Sequence, residues 1–95
     1  MPEYARVVTF EADDAAMAAV AGEISSMDAP EDLPATRIIV LGDRANGRMV
    51  IATRFASEED LRQGSAMLEA MSPPDVGNIR RVSVEQYEVL VERHK

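Results

Sequence analysis

With 95 residues, 46% of them hydrophobic and 28% charged, the chain has the size and composition of one soluble globular domain over 1–95 and is too short for a second. Seventeen acids against ten bases set the net charge at -7, which repels a phosphate backbone at long range and argues against a nucleic-acid partner. The absence of cysteine excludes disulfides, thiolate nucleophiles and cysteine-based zinc sites, and the one histidine, His94, sits next to the C-terminus, a poor place for a histidine-centred active site.

The start, Met1-Pro2-Glu3-Tyr4-Ala5-Arg6, has neither the basic opening nor the apolar stretch of a signal peptide. No run approaches the ~18 apolar residues of a membrane span, so the expectation is a cytoplasmic protein with no membrane partner.

Arg6 to Phe10 is β-branched and aromatic and reads as a strand. Asp13 and Asp14 then offer caps for an alanine-rich helix with Met17, Val20, Ala21, Ile24 and Met27 on its apolar face. Asp28 to Pro34, with two prolines, makes a loop. Thr36 to Leu41 and Arg48 to Phe55 flank Asn46-Gly47, a strong hairpin signal. Ser57-Glu58-Glu59-Asp60 resembles a capping box and opens a second helix with Leu61, Ser65, Leu68 and Met71 on one face, stopped by Pro73-Pro74. Arg81 to Arg93 alternates as a final strand, about 40 Å long at ~3.3 Å per residue. Its phase slips between Val82, Val84 and Tyr87, Val89, Val91, and a bulge near Glu85-Gln86 would restore one apolar face.

The order β-α-β-β-α-β contains two split β-α-β units joined by the hairpin. Right-handed crossovers put both helices on one face of an antiparallel sheet ordered 4-1-3-2, a ferredoxin-like α+β fold.

A two-residue turn at Asn46-Gly47 pairs Ala45 with Arg48 and sets Leu41 opposite Ala52 and Ile39 opposite Arg54. One face then carries Ile38, Val40, Met49, Ile51 and Phe55 and suits burial beneath the helices. The other carries Arg37, Ile39, Leu41, Val50, Ala52 and Arg54, too apolar to be left in water. Because a charge is costly to bury under a helix, Arg6 is expected on this second face, bringing Tyr4, Val8 and Phe10 with it. Ala5, Val7 and Thr9 would lie beneath the helices. The partner expected for the second face is another copy of the chain, reached also by the tail of the last strand.

These elements, carried by Arg6 to Phe10, the Arg37 to Phe55 hairpin, the Phe55-Ala56-Ser57-Glu58-Glu59-Asp60-Leu61 helix entry and Val82 to Val91, resemble the dimeric α+β barrel superfamily with its antibiotic biosynthesis monooxygenase-like proteins. The resemblance covers essentially the whole chain and rests on the pattern of elements. It implies two ferredoxin-like subunits packed sheet against sheet, with ligands between sheet and helices or near the barrel interior, and chemistry that uses no cofactor. This chain departs from the better-known enzymes of the group. It has no tryptophan, its asparagines, Asn46 and Asn78, read as turn residues, and its histidine is terminal, so the usual polar groups for orienting and deprotonating a substrate are missing and no catalytic residue is assigned.

The acidic clusters Asp13-Asp14 and Glu58-Glu59-Asp60 fall at helix starts, where negative charge suits the helix dipole. With Glu31-Asp32 they are the only candidates for a hard cation, and no metal or cofactor is expected. Gly42 to Gly47 precedes a strand and is not a phosphate loop. Arg6, Arg37, Arg48 and Arg54 are strand arginines that need counter-charges, supplied by Glu85, Glu88, a second subunit or an anionic ligand. Under the ligand reading, Arg6 and Arg54 form the polar end of a site for an aromatic or polyketide-like anion, with Arg37, Tyr4 and Phe10 beside them. The alternative is a non-catalytic interaction module that dimerises through its sheet.

Overall fold

In a computed structural model that describes residues 2–26, 33–70 and 77–93, the chain forms an α+β arrangement of β1 (Glu3–Ala12), α1 (Asp14–Ser26), β2 (Ala35–Asp43), β3 (Arg48–Phe55), α2 (Glu58–Glu69) and β4 (Ile79–Val89). The strands make one open antiparallel sheet ordered β2-β3-β1-β4, which is 4-1-3-2 read from the other edge and is compatible with a ferredoxin-like fold. The readings placed on Met27, Pro30, Glu31-Asp32, Met71, Pro73-Pro74 and His94 concern positions outside the described residues.

Each helix starts on the residue its sequence advertises. The Asp13 carboxylate accepts from the Ala16 N–H (2.9 Å), and the Ser57 hydroxyl accepts from the Asp60 N–H (3.1 Å), so each satisfies a donor in the first turn. Asp13 also accepts from the Asn78 N–H (2.9 Å), while its own N–H donates to the Asn78 carbonyl (3.0 Å). One side chain thus ties the start of α1 to the start of β4. Both helices cover the same face of the sheet. Ala16, Met17 and Val20 of α1 pack with Ala12 and Met49, while Gly64 of α2 lies against the ring of Phe55. Met17 and Val20 are buried as their spacing predicts, whereas Ala21 is exposed and Ala16 takes its place in the core.

The hairpin differs in register from the sequence expectation. Asp43 pairs with Arg48, Leu41 with Val50 and Ile39 with Ala52, two residues away from the tight-turn register. The turn is longer because only Gly47 (φ 64°) adopts a left-handed conformation, and a type I′ turn needs Asn46 to do so as well. Instead Asp43 accepts from the backbone (3.3 Å) and side chain (2.8 Å) of Asn46 and stabilises a wider loop. A shift of two preserves the period of a strand, so the faces assigned to β2 and β3 stand.

The face assigned to β1 is reversed. Tyr4 pairs with Phe55, Arg6 with Thr53, Val8 with Ile51 and Phe10 with Met49, so these residues share the helix-covered side. Ala5, Val7 and Thr9 lie on the open side with Arg54, Ala52 and Val50. Arg6 tolerates this because its long stem lies in the core while its guanidinium reaches Glu69 at the end of α2.

Both edge strands carry an extra residue. Thr9 pairs with Ser83 and Phe10 with Arg81, which leaves Val82 as the bulge of β4 and not the neighbourhood of Glu85-Gln86. At the other edge Ala35 and Arg37 pair with consecutive residues, which leaves out Thr36. β4 ends at Val89, short of the strand length expected from sequence. Beyond it Glu92 reaches Arg54 and Arg37, so the segment after β4 crosses the end of the sheet toward β2. No helix among the described residues is long and apolar enough to cross a membrane.

Candidate functional site

The five residues singled out in the sequence fall on opposite sides of the sheet. Tyr4, Arg6 and Phe10 lie on the helix-covered side, while Arg37 and Arg54, cross-strand neighbours on β2 and β3, lie on the open side. Arg6 and Arg54 therefore do not share one site, because adjacent strands in this register place them on opposite faces.

Beneath the helices, Arg6 is 6% exposed and donates to Glu69 (2.6 Å), which also receives Arg81 from β4 (2.8 Å). Two guanidinium groups converge on one carboxylate. The Arg81 hydrogen bond, followed by that of Arg6, holds the Glu69 carboxyl below its ordinary value. The Arg6 Nε is buried with no hydrogen-bond partner among the described residues. Nearby, the Gln86 amide donates to the Ser65 hydroxyl (3.2 Å) and joins β4 to α2. Glu69 was legible as an anomaly: an acid in the last turn of a helix opposes the dipole and implies a cation brought by another element.

On the open side, Arg54 binds Glu92 and Glu3 (3.3 Å), and Arg37 approaches the same Glu92 (3.5 Å). At the far end Arg80 binds Glu11 (2.6 Å). Between these charged ends lie two rows, Ile39, Ala52, Val7 and Glu85, then Leu41, Val50, Thr9 and Ser83, while Tyr87 stands beside Ala5 in the row of Arg54. Ile39, Leu41 and Tyr87 are exposed to solvent. The Tyr87 hydroxyl donates to the Glu85 carboxylate, and this bond is the main cause of a raised Tyr87 pKa. Arg48 has no acid within ion-pair distance among the described residues.

Neither helix-start acid cluster assembles a cation site. Asp13 is used by the cap, Glu59 accepts from Arg62 and Gln63 (both 3.2 Å), and no group of three acidic or histidine side chains converges among the described residues. A depression open to solvent lies between the hairpin and the start of α1, lined by Glu11, Asp13, Asn78 and Arg80, whose polar groups bind one another. Compared with known proteins, the chain matches no family model, no curated protein and no solved structure.

Proposed function

We propose that this chain is a self-associating module in which two copies pack open face to open face, as in a dimeric α+β barrel. The observation that carries the reading is the apolar centre of the open face, bounded at each end by ion-paired residues. Burying such a surface is worth roughly 25 cal/mol per Å² of apolar area before the costs of association. Charge supports the same surface. Arg37, Arg48, Arg54 and Arg80 stand there against Glu3, Glu11, Asp43, Glu85 and Glu92, nearly neutral in a chain of net charge -7. A second copy is thus repelled least at this face. The edges are the weaker route, since bulges at Val82 and Thr36 interrupt the ladders that another strand would extend.

Analytical ultracentrifugation of the intact chain tests the reading. The expected result is a dimer that Leu41→Asp converts to a folded monomer with the same far-UV circular dichroism. A parent protein that stays monomeric up to its solubility limit overturns it.

The buried side favours a second reading, binding of a small anion between the sheet and α2. Arg6 and Arg81 share a single acid, and Arg6 retains a buried Nε with no partner among the described residues, on the face that also carries Tyr4 and Phe10. An aromatic carboxylate or phenolate supplies the missing charge and a ring to pack. Titration with benzoate, followed by amide NMR shifts, is expected to perturb residues around Arg6 in the parent and not in Arg6→Met. No shifts in the parent overturn this reading and leave the first untouched.

A further inference from the structure

Resting on the face-to-face reading, we infer that Arg48 of one copy pairs with Glu85 of the other, twice across a two-fold axis, and that this pairing selects a second copy as the occupant of the open face. Most of the charges on this face are matched within the chain. Arg54 and Arg37 take Glu92, Arg54 also takes Glu3, and Arg80 takes Glu11. Three are left without a counter-ion among the described residues, Arg48, Asp43 and Glu85. Asp43 stands at the hairpin end, solvated by the loop and by Asn46, whereas Glu85 stands in a middle row beside Val7. Arg48, at the start of β3, lies between Asp43 and Glu11 in register, yet the Asp43 carboxylate is engaged by Asn46 and that of Glu11 by Arg80. Glu85, opposite Val7 on β4, has the Tyr87 hydroxyl as its hydrogen-bond partner and no cation among the described residues.

A carboxylate beside Val7 is carried without cost while the face is wet, but closing two such faces removes its water and demands a counter-charge. In an isologous interface a residue that meets a different residue of its mate is met by it in return. Arg48 and the one unmatched anion of the middle rows, Glu85, are therefore self-complementary: two copies satisfy four charges with two pairs. Tyr87 supports the arrangement by fixing the Glu85 carboxylate in one orientation on the face.

Charge reversal tests the pairing through the self-association of the intact chain. Arg48→Glu and Glu85→Arg are each expected to raise the dimer dissociation constant at least about tenfold, because each homodimer then holds two like-charge contacts. An equimolar mixture of the two variants is expected to dimerise like the parent, since both cross-contacts become opposite in sign, and so is the double variant Arg48→Glu/Glu85→Arg. Circular dichroism checks that each remains folded; if one single variant does not, the double variant and the other single variant decide the matter. Single variants that dimerise like the parent, or variants whose mixture and double form do not recover, overturn the pairing while the face-to-face dimer stands. A monomeric parent overturns both.

Discussion

Phe55→Ala is expected to destabilise the fold by about 3–5 kcal/mol, the range for removing a buried aromatic side chain. Phe55 is 0% exposed and ends the central strand β3 beneath α2. The backbone of α2 comes close enough that only glycine fits at position 64, where a Cβ would stand 2.7 Å from the Phe55 Cζ. Stability of a small domain is about 5–15 kcal/mol, so the loss brings the chain near its unfolding threshold at ambient temperature. Gly64→Ala gives the complementary test. In an isolated helix this change favours the helix by about 1 kcal/mol, but here it forces the ring or the helix to move, at a cost of about 1–3 kcal/mol. Net destabilisation in urea, partly relieved when Phe55→Leu is added, is the expected outcome. A stabilised Gly64→Ala would show that α2 does not rest on this ring.

Gly77→Ala is expected to be the most damaging change outside the core. Gly77 has φ 69°, which costs an L-residue about 1–2 kcal/mol. A Cβ there would also stand 2.8 Å from the Ala16 backbone nitrogen and press on Asp13. The crowding adds about 1–3 kcal/mol and displaces the Asp13 cap that joins α1 to β4. Acid sensitivity provides an independent readout. The Ala16 N–H, then the Asn78 N–H, hold the Asp13 carboxyl below its ordinary value, and Arg81 does so for Glu69. Both groups are depressed in the folded state, so their stabilisation is present above the unfolded-state pKa and is lost as pH falls through the folded values. The thermal midpoint of the parent is expected to change little from pH 7 to about 5 and to drop below about 4. Gly77→Ala, its Asp13 contacts already disturbed, is expected to lose less over the same interval. Parallel declines would remove Asp13 as a source of the acid effect.

The path from residues to elements was short wherever a local rule applied. Asp13 and Ser57 start helices because a side-chain oxygen can satisfy a first-turn N–H within three residues. The faces of β2 and β3 are the same for the tight turn and for the wider loop observed, because a slip of two residues leaves the period of a strand intact. The candidate site was less legible. Alternation from the hairpin puts Arg37 and Arg54 on the open face, where they lie, but Arg6, Tyr4 and Phe10 lie on the other side, because the cost of burying an arginine is offset by Glu69, an acid that only the packing of α2 delivers.

Element order, both helix starts and the alternation that leaves an apolar open face were written in the sequence, because each depends on neighbours within a few positions. Only the tertiary structure decided which face β1 presents, where β4 bulges, and which charges find partners. Those outcomes depend on residues far apart in the chain, Arg6 with Glu69, Arg54 with Glu92, Arg80 with Glu11. A strand has two faces of nearly equal local merit here, Tyr4-Arg6-Val8-Phe10 or Ala5-Val7-Thr9. The choice between them was made by the volume that α1 and α2 enclose and by a carboxylate sixty-three residues away along the chain.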